Sequence, residues 1–285
     1  MLTVEFFASR TVFLAIGEFR IYWYGLIYVL AFWTAWYALP ILGKMRGVLL
    51  TRDQWTNIVA FGALGILVGG RLGYALFYEP LFFLQSPGML LQIWHGGMSS
   101  HGGFIGAALG VWWATKRIPL LSKEGLGEVR DVLTVPAALG LALGRIGNIV
   151  NQEFGVYPYY EAVGDMAIAL VCYLLIRRSS VPCSPIGEKV SPAFVQGADE
   201  GNPYSMPPNQ PSPSRLRRGA LSPIGERGSL FAIFLMLYGA QRFLLEYFRP
   251  QEWSLVFGLS RGQIFTIPLF LIAVILLKNA YKQRI

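Results

Sequence analysis

Three arginines interrupt stretches that are otherwise apolar enough to cross a membrane: Arg71 in GGRLGY, Arg145 in GRIGNIVNQE and Arg242 in YGAQRFLLEYFR. A guanidinium keeps its charge, and near hydrocarbon it must face protein, water or an anion. One histidine, His101 in HGGMSSHGG, sits at comparable depth. Cations grouped with a single imidazole in an apolar chain suit the holding of an anionic lipid headgroup and chemistry upon it.

Within GRIGNIVNQE, Arg145, Asn148 and Gln152 fall at i, i+3 and i+7, hence on one helical face, with Asn151 and Glu153 near its outer end. A guanidinium with neutral amides can neutralise a phosphodiester and donate to several of its oxygens. The competing expectation is structural, with Arg145 paired to Glu153 or Glu161 to tie helices together. Arg242, Glu246 and Arg249 follow at i, i+4 and i+7. An Arg242–Glu246 ion pair either fixes helix register or orients Arg242 toward a phosphate. His101 is either a structural hydrogen-bonder or an acid–base group, and the surrounding glycines leave it sterically accessible. His95 reads as a loop residue. Tyr24, in WYG at the outer end of the first apolar segment, belongs to an aromatic belt or donates to a headgroup.

The chain that must position these groups has 285 residues, 54% hydrophobic and 14% charged. A soluble domain would carry roughly 25% charged residues. Apolar segments near 21–42, 54–78, 98–115, 131–150, 162–176, 229–248 and 262–278 predict an all-α, polytopic membrane bundle of about seven transmembrane helices, the fifth being the shortest. Of the 24 Lys and Arg residues, seventeen fall in loops on one side and only Arg10, Arg20, Arg249 and Arg261 on the other. That bias places the N-terminus outside and the C-terminus in the cytoplasm. It also explains the net charge of +8 without a nucleic-acid partner.

Gly65, Gly69 and Gly73, then Gly102, Gly106 and Gly110, and Gly140 with Gly144, recur at four-residue spacing. Such stripes let a neighbouring backbone approach closely, so packing is their plain reading. Pro136 predicts a kink in the fourth span. Residues 179–228 are rich in Pro, Ser and Gly and read as a disordered cytoplasmic linker between a membrane part at 1–178 and another at 229–285. The linker holds two copies of SPIGE, for which there is no functional account. Cys172 and Cys183 have no metal or disulfide spacing. No nucleotide loop, GxSxG nucleophile or metal-ligand pattern is present, so neither metal nor cofactor is expected. The N-terminus lacks the marks of a removable signal peptide and carries no lipid-anchoring cysteine.

WYGLIYVLAF, GGRLGYALFYEP, HGGMSSHGGFIGA, GRIGNIVNQEFG and YGAQRFLLEYFR, in that order, resemble the bacterial phosphatidylglycerol:prolipoprotein diacylglyceryl transferases, over roughly residues 18–178 and 228–283. The resemblance implies a seven-helix enzyme of the bacterial inner membrane with its active site toward the periplasm. It moves diacylglyceryl from phosphatidylglycerol, a membrane lipid, to the lipobox cysteine of a prolipoprotein signal peptide and releases glycerol 1-phosphate. On that resemblance His101, Arg145 and Arg242 are catalytic. Arg145, Asn148, Tyr24, Glu153, Arg242 and Glu246 bind phosphatidylglycerol, and Gln263 matches a family glutamine; Arg71, as a cation in an apolar run, is expected to bind the lipid as well. The chain departs from the pattern in several places. The family's head segment between GRxGN and a motif like HPSQLYE shrinks to Gly155–Tyr160 before Glu161, in YPYYEA. His95 stands where an Asp is usual, and Arg261 where a Met is usual. These changes leave the lipid site in place and bear on recognition of the protein substrate. The alternatives are a carrier or translocator of an anionic lipid or solute, for which no inverted repeat is visible, and an inactive precursor-binding scaffold.

Overall fold

The computed structural model describes residues 11–16, 19–48, 50–93, 97–118, 123–179, 229–248 and 258–282. Among the described residues seven long helices carry the fold: α1 (Trp23–Arg46), α2 (Arg52–Phe77), α4 (Ser100–Lys116), α5 (Lys123–Val150), α6 (Tyr157–Arg178), α7 (Ser229–Leu245) and α8 (Arg261–Lys282). A short α3 (Pro80–Gln85) lies between α2 and α4. An antiparallel ribbon, β1 (Val12–Ile16) and β2 (Phe19–Tyr22), precedes α1 and adds to the all-α bundle that the apolar segments predict. Among the described residues six helices are long and apolar enough to cross a membrane. The remaining long helix, α4, has 17 residues, about 25 Å at 1.5 Å per residue. The fifth segment is thus not the short one; α4 and the α-helical part of α7, also 17 residues, are. α6 grows to 22 residues because its first turn begins at Tyr157 and accepts Pro158, whose missing N–H would have no helical partner there. The linker expected at 179–228 lies, from residue 180 onward, outside the described residues.

Local signals set the ends of the first helices. Gly47 takes a left-handed backbone (φ 68°) that ends α1, and Thr51 with Gln54 forms a reciprocal capping box that starts α2. Successive helices then run antiparallel. Large apolar side chains such as Leu76, Leu109, Val163 and Leu170 face outward, as expected where the surrounding solvent is hydrocarbon.

The glycine stripes resolve unequally. A Cβ at Gly65 would strike the carbonyl of Gly106, one at Gly69 the carbonyl of Gly102, and one at Gly110 the carbonyl of Phe61. α2 and α4 therefore touch backbone to backbone. Gly140 meets nothing closer than Ala31 Cβ at 4.0 Å, and Gly144 meets nothing within 4 Å. The close contact on α5 falls instead at Gly147, where a Cβ would come within 2.5 Å of the Tyr24 ring.

At the end of the bundle away from Arg145, a buried ion pair joins Arg46 Nη2 to Asp131 Oδ2 at 2.6 Å. Asp131 also accepts from the Phe231 backbone N–H (3.0 Å), and Arg46 donates to Ser179 Oγ (3.0 Å). One carboxylate thus holds α1, α5, the start of α7 and, through Arg46, the end of α6. Asp131 is fully buried, so removing either charge would strand the other, a loss of about 3–5 kcal/mol.

Replacing Gly106 by Val should separate α2 from α4 and lower the melting temperature of the detergent-solubilised protein by several degrees. Gly140→Ala should leave it unchanged or raise it, through a helix-propensity gain of about 1 kcal/mol. Equal melting temperatures for Gly106→Val and the unaltered protein would show that this helix contact does not carry stability.

Candidate active site

α5 stops at Val150, and the chain turns at once. Gln152 (φ 55°) and Phe154 (φ 61°) both adopt left-handed backbone, which costs a non-glycine residue about 1–3 kcal/mol. This turn swings Glu153 back over the helix end. Its carboxylate accepts from Asn148 Nδ2 (2.6 Å) and Asn151 Nδ2 (3.1 Å). Asn148 Oδ1 in turn accepts from Arg145 Nη1 (3.4 Å). Asn151 Oδ1 accepts from Thr11 Oγ1 (2.8 Å), fastening the base of the ribbon to the same cluster. Gln152 does not continue the Arg145 face, because the helix has ended before it, and its side chain is exposed.

The next helix brings the counter-charge. Glu161, buried on α6, spans two guanidinium groups, with Oε2 2.9 Å from Arg145 Nε and Oε1 against Arg242 Nη1. Arg242 also donates to the Tyr157 hydroxyl (3.2 Å) and pairs with Glu246 Oε2 (3.3 Å). The Tyr157 hydroxyl donates onward to Glu246 (3.4 Å). Gln241 donates to the Glu161 carbonyl and to Asp165 Oδ1, both at 3.1 Å, across a contact that only Gly164 leaves open. Gly262 similarly admits the Glu246 carboxylate, which a Cβ would meet at 2.6 Å.

These elements enclose one cleft. It is lined by Ser100, His101 and Phe104 from α4, Arg145 from α5, Tyr238 and Arg242 from α7, and Thr266 and Leu269 from α8. His101 lies within electrostatic reach of Arg242 and Glu246. Three groups singled out by residue type, His101, Arg145 and Arg242, therefore share an opening. Asn148 and Glu153 stand behind Arg145, and Glu246 stands behind Arg242.

Two expected residues do not line that cleft. Tyr24 packs its ring on Gly147 and shares a hydrogen bond with Tyr28 (3.4 Å) at the α1–α5 contact, within electrostatic reach of Arg145. Arg71 is buried and donates to the carbonyls of Met89, Leu90, Gln92 and Gly97, tying the α2–α4 connection in place. Its guanidinium also sits 5.0 Å from the Phe83 ring centroid. Gln263 forms a reciprocal cap with Ser260 at the start of α8 and donates to the Phe243 carbonyl (3.3 Å). His95 and Arg249 lie outside the described residues. Glu161 as a bridge between both arginines, and Tyr157 and Tyr238 beside them, had no spacing signal linking them to the cleft. For Glu161 the sequence offered its candidacy as an ion-pair partner of Arg145, which the structure shows, and the Tyr-Glu pair of YPYYEA.

The two arginines differ in how far they are satisfied. Arg242 is engaged by Tyr157, Glu161 and Glu246. Arg145 has five N–H donors, yet it makes one long hydrogen bond to Asn148, and Glu161 Oε2 receives no aligned hydrogen bond despite its 2.9 Å approach. Donors left over beside an opening are what an incoming anion needs.

A bundle with six helices long and apolar enough to cross a membrane among its described residues defines a polytopic membrane protein, and its paired guanidinium groups and imidazole border one cleft. The chain matches the family model for prolipoprotein diacylglyceryl transferase over residues 11–195 and 216–278, and it belongs to that family. It is 33% identical over 287 residues to the phosphatidylglycerol–prolipoprotein diacylglyceryl transferase of Psychrobacter arcticus, covering 95% of this chain and 93% of the relative. The enzyme of the same name from Acinetobacter baylyi is 33% identical over 288 residues, with 95% and 92% covered. That of Acinetobacter baumannii is 32% identical over 280 residues, again with 95% and 92% covered.

Glu153→Gln should turn an amide donor toward Asn148 or Asn151 and loosen the support behind Arg145. Loss of a charge-assisted hydrogen bond of about 1.5–3 kcal/mol should weaken retention of an anionic phospholipid by about tenfold or more, measured by native mass spectrometry of the purified protein. Unchanged retention would show that the carboxylate does not orient Arg145.

Proposed function

We propose that this protein transfers the diacylglyceryl group of phosphatidylglycerol to the lipobox cysteine thiol of a prolipoprotein, forming a thioether and releasing glycerol 1-phosphate. The observation that carries this reading is the shared cleft, where His101, Arg145 and Arg242 from three different helices line one opening. Family membership supplies the reaction, and the cleft supplies groups suited to it. All three residues lie at the end of the bundle opposite Lys44, Arg46, Arg52, Lys116, Arg117, Arg177 and Arg178. Since basic ends mark the cytoplasmic side, the cleft faces the periplasm across the bacterial inner membrane.

The acceptor presents a chemical difficulty that the cleft answers. A free thiol has an ordinary pKa of about 8.5, so only a small fraction is thiolate at neutral pH. His101 accepts the thiol proton, directly or through one water. The thiolate then attacks the diacylglycerol C3 carbon. The C–S bond forms as the C–O bond to phosphate breaks, and the electron pair stays on the phosphate oxygen. Arg145, with Asn148 behind it, binds the phosphodiester and stabilises the charge that collects on the departing phosphate. Preorganised donors of this kind are commonly the largest contributor to catalysis. Arg242, already held by Tyr157, Glu161 and Glu246, keeps its charge fixed between the phosphate and His101. Phe104, Tyr238 and Leu269 give the opening an apolar wall for the acyl chains.

The test is incubation of the purified protein with phosphatidylglycerol and a lipobox peptide. A mass increase of one diacylglyceryl unit on the peptide is expected. His101→Gln and Arg145→Ala should each lower the rate by at least about a hundredfold, the usual scale for loss of a general base or of a charge-stabilising donor. Headgroup movement without thioether formation would replace this reading with a carrier, and a near-normal rate in either variant would remove that residue from the scheme.

A further inference from the structure

The bridge made by Glu161 has a geometry that an oxyanion would share. Its two carboxylate oxygens each approach a different guanidinium, Arg145 on α5 and Arg242 on α7. The two non-bridging oxygens of a phosphodiester present the same spacing problem and the same charge. Glu161 and Glu246 already engage the two guanidinium groups, so a phosphodiester approaching Arg145 competes with the Glu161 oxygen beside it.

The bridge is also unequal. On Arg242 the Glu161 contact is a close, aligned hydrogen bond, reinforced by Tyr157 and Glu246. On Arg145 the same carboxylate comes to 2.9 Å without hydrogen-bond alignment. Arg145 is the more exposed of the two, 22% against 14%, and both border the cleft. The limb toward Arg145 is therefore the one an incoming anion can replace, while Arg242 retains the carboxylate.

We propose that Glu161 is a displaceable stand-in for phosphate: it occupies Arg145 in the empty site, yields to the phosphodiester of the lipid, and returns to expel the phosphate product. This rests on the transferase reading above. Expulsion matters because the leaving group is a phosphate monoester. Near neutral pH it carries close to two negative charges, against one on the diester, and fixed cations would hold it more strongly than they held the substrate. A tethered carboxylate competes equally at every turnover and keeps the site from trapping its own product. Glu161 is in this sense a positioning residue that acts through Arg145.

Product inhibition separates this role from a merely structural one. Initial transfer rates would be measured at increasing glycerol 1-phosphate for the full-length protein and for Glu161→Gln and Glu161→Asp. Glu161→Gln should lower the inhibition constant for glycerol 1-phosphate by about tenfold, lower KM for phosphatidylglycerol and lower kcat, since loss of one charge-assisted contact is on that scale. Glu161→Asp keeps the charge but is too short to span both arginines, so its inhibition constant should fall by a smaller factor, about threefold, and it decides the matter if the Gln variant fails to fold. Inhibition constants equal to or above that of the unaltered protein would overturn the proposal. If the unaltered protein forms no thioether at all, the transferase reading itself fails, and the proposal falls with it.

Discussion

Buried guanidinium groups set the terms for this structure. An arginine cannot shed its charge, so each one taken into an apolar bundle obliges the chain to supply acceptors around it. Four arginines meet that obligation in different ways. Arg46 is answered by Asp131, whose second oxygen caps the start of α7. Arg71 is answered by backbone carbonyls of the α2–α4 connection, which need donors because that segment has too little regular structure to satisfy them. Arg242 is answered by two carboxylates and a phenol. Arg145 makes the fewest side-chain hydrogen bonds of the four, and with Arg242 it borders the opening.

The same constraint divides the molecule into a holding part and a working part. α2 and α4 meet largely through glycine backbones and so form a closely packed pair. His101 stands at the start of α4 in that pair, whereas both cleft arginines stand on α5 and α7. Phe104 and Tyr238, with ring centroids 5.8 Å apart, are the aromatic contact between these groups beside the cleft. The imidazole and the guanidinium groups are thus carried by separately braced units, with the opening lying along their seam.

Much of this was legible from residue types. The apolar segments mark the spans, because a bilayer tolerates few charges over about 20 residues. The arginines and His101 were conspicuous for the same reason. The glycine spacing gave the α2–α4 contact, but it could not distinguish Gly106, which touches backbone, from Gly144, which faces open space. Periodicity could place Gln152 on the Arg145 face only by assuming that α5 continues, and the left-handed turn at Gln152 and Phe154 has no composition signal. Arg71 looked like Arg145 in sequence, since both are lone cations in glycine-rich apolar runs. What separates them is the company each keeps in space. Glu161 was visible only as a possible partner of Arg145, because its contact with Arg242 joins residues 81 positions apart.

The brevity of the α5–α6 connection ties these points together. Six residues separate Val150 from Tyr157, and within them the chain must reverse direction, return Glu153 to Asn148 and Asn151, and start a helix. The reversal sets Glu161, one turn into α6, level with Arg145 near the end of α5. Strain at two non-glycine residues is tolerated because it delivers two carboxylates to one guanidinium, Glu153 from behind through Asn148 and Glu161 from the side. A longer or looser connection could keep the helices antiparallel, but it would not fix which carboxylate faces which arginine. The electrostatic balance of the cleft is therefore set by a turn, and the helices on either side supply the rigidity that lets so small a turn decide it.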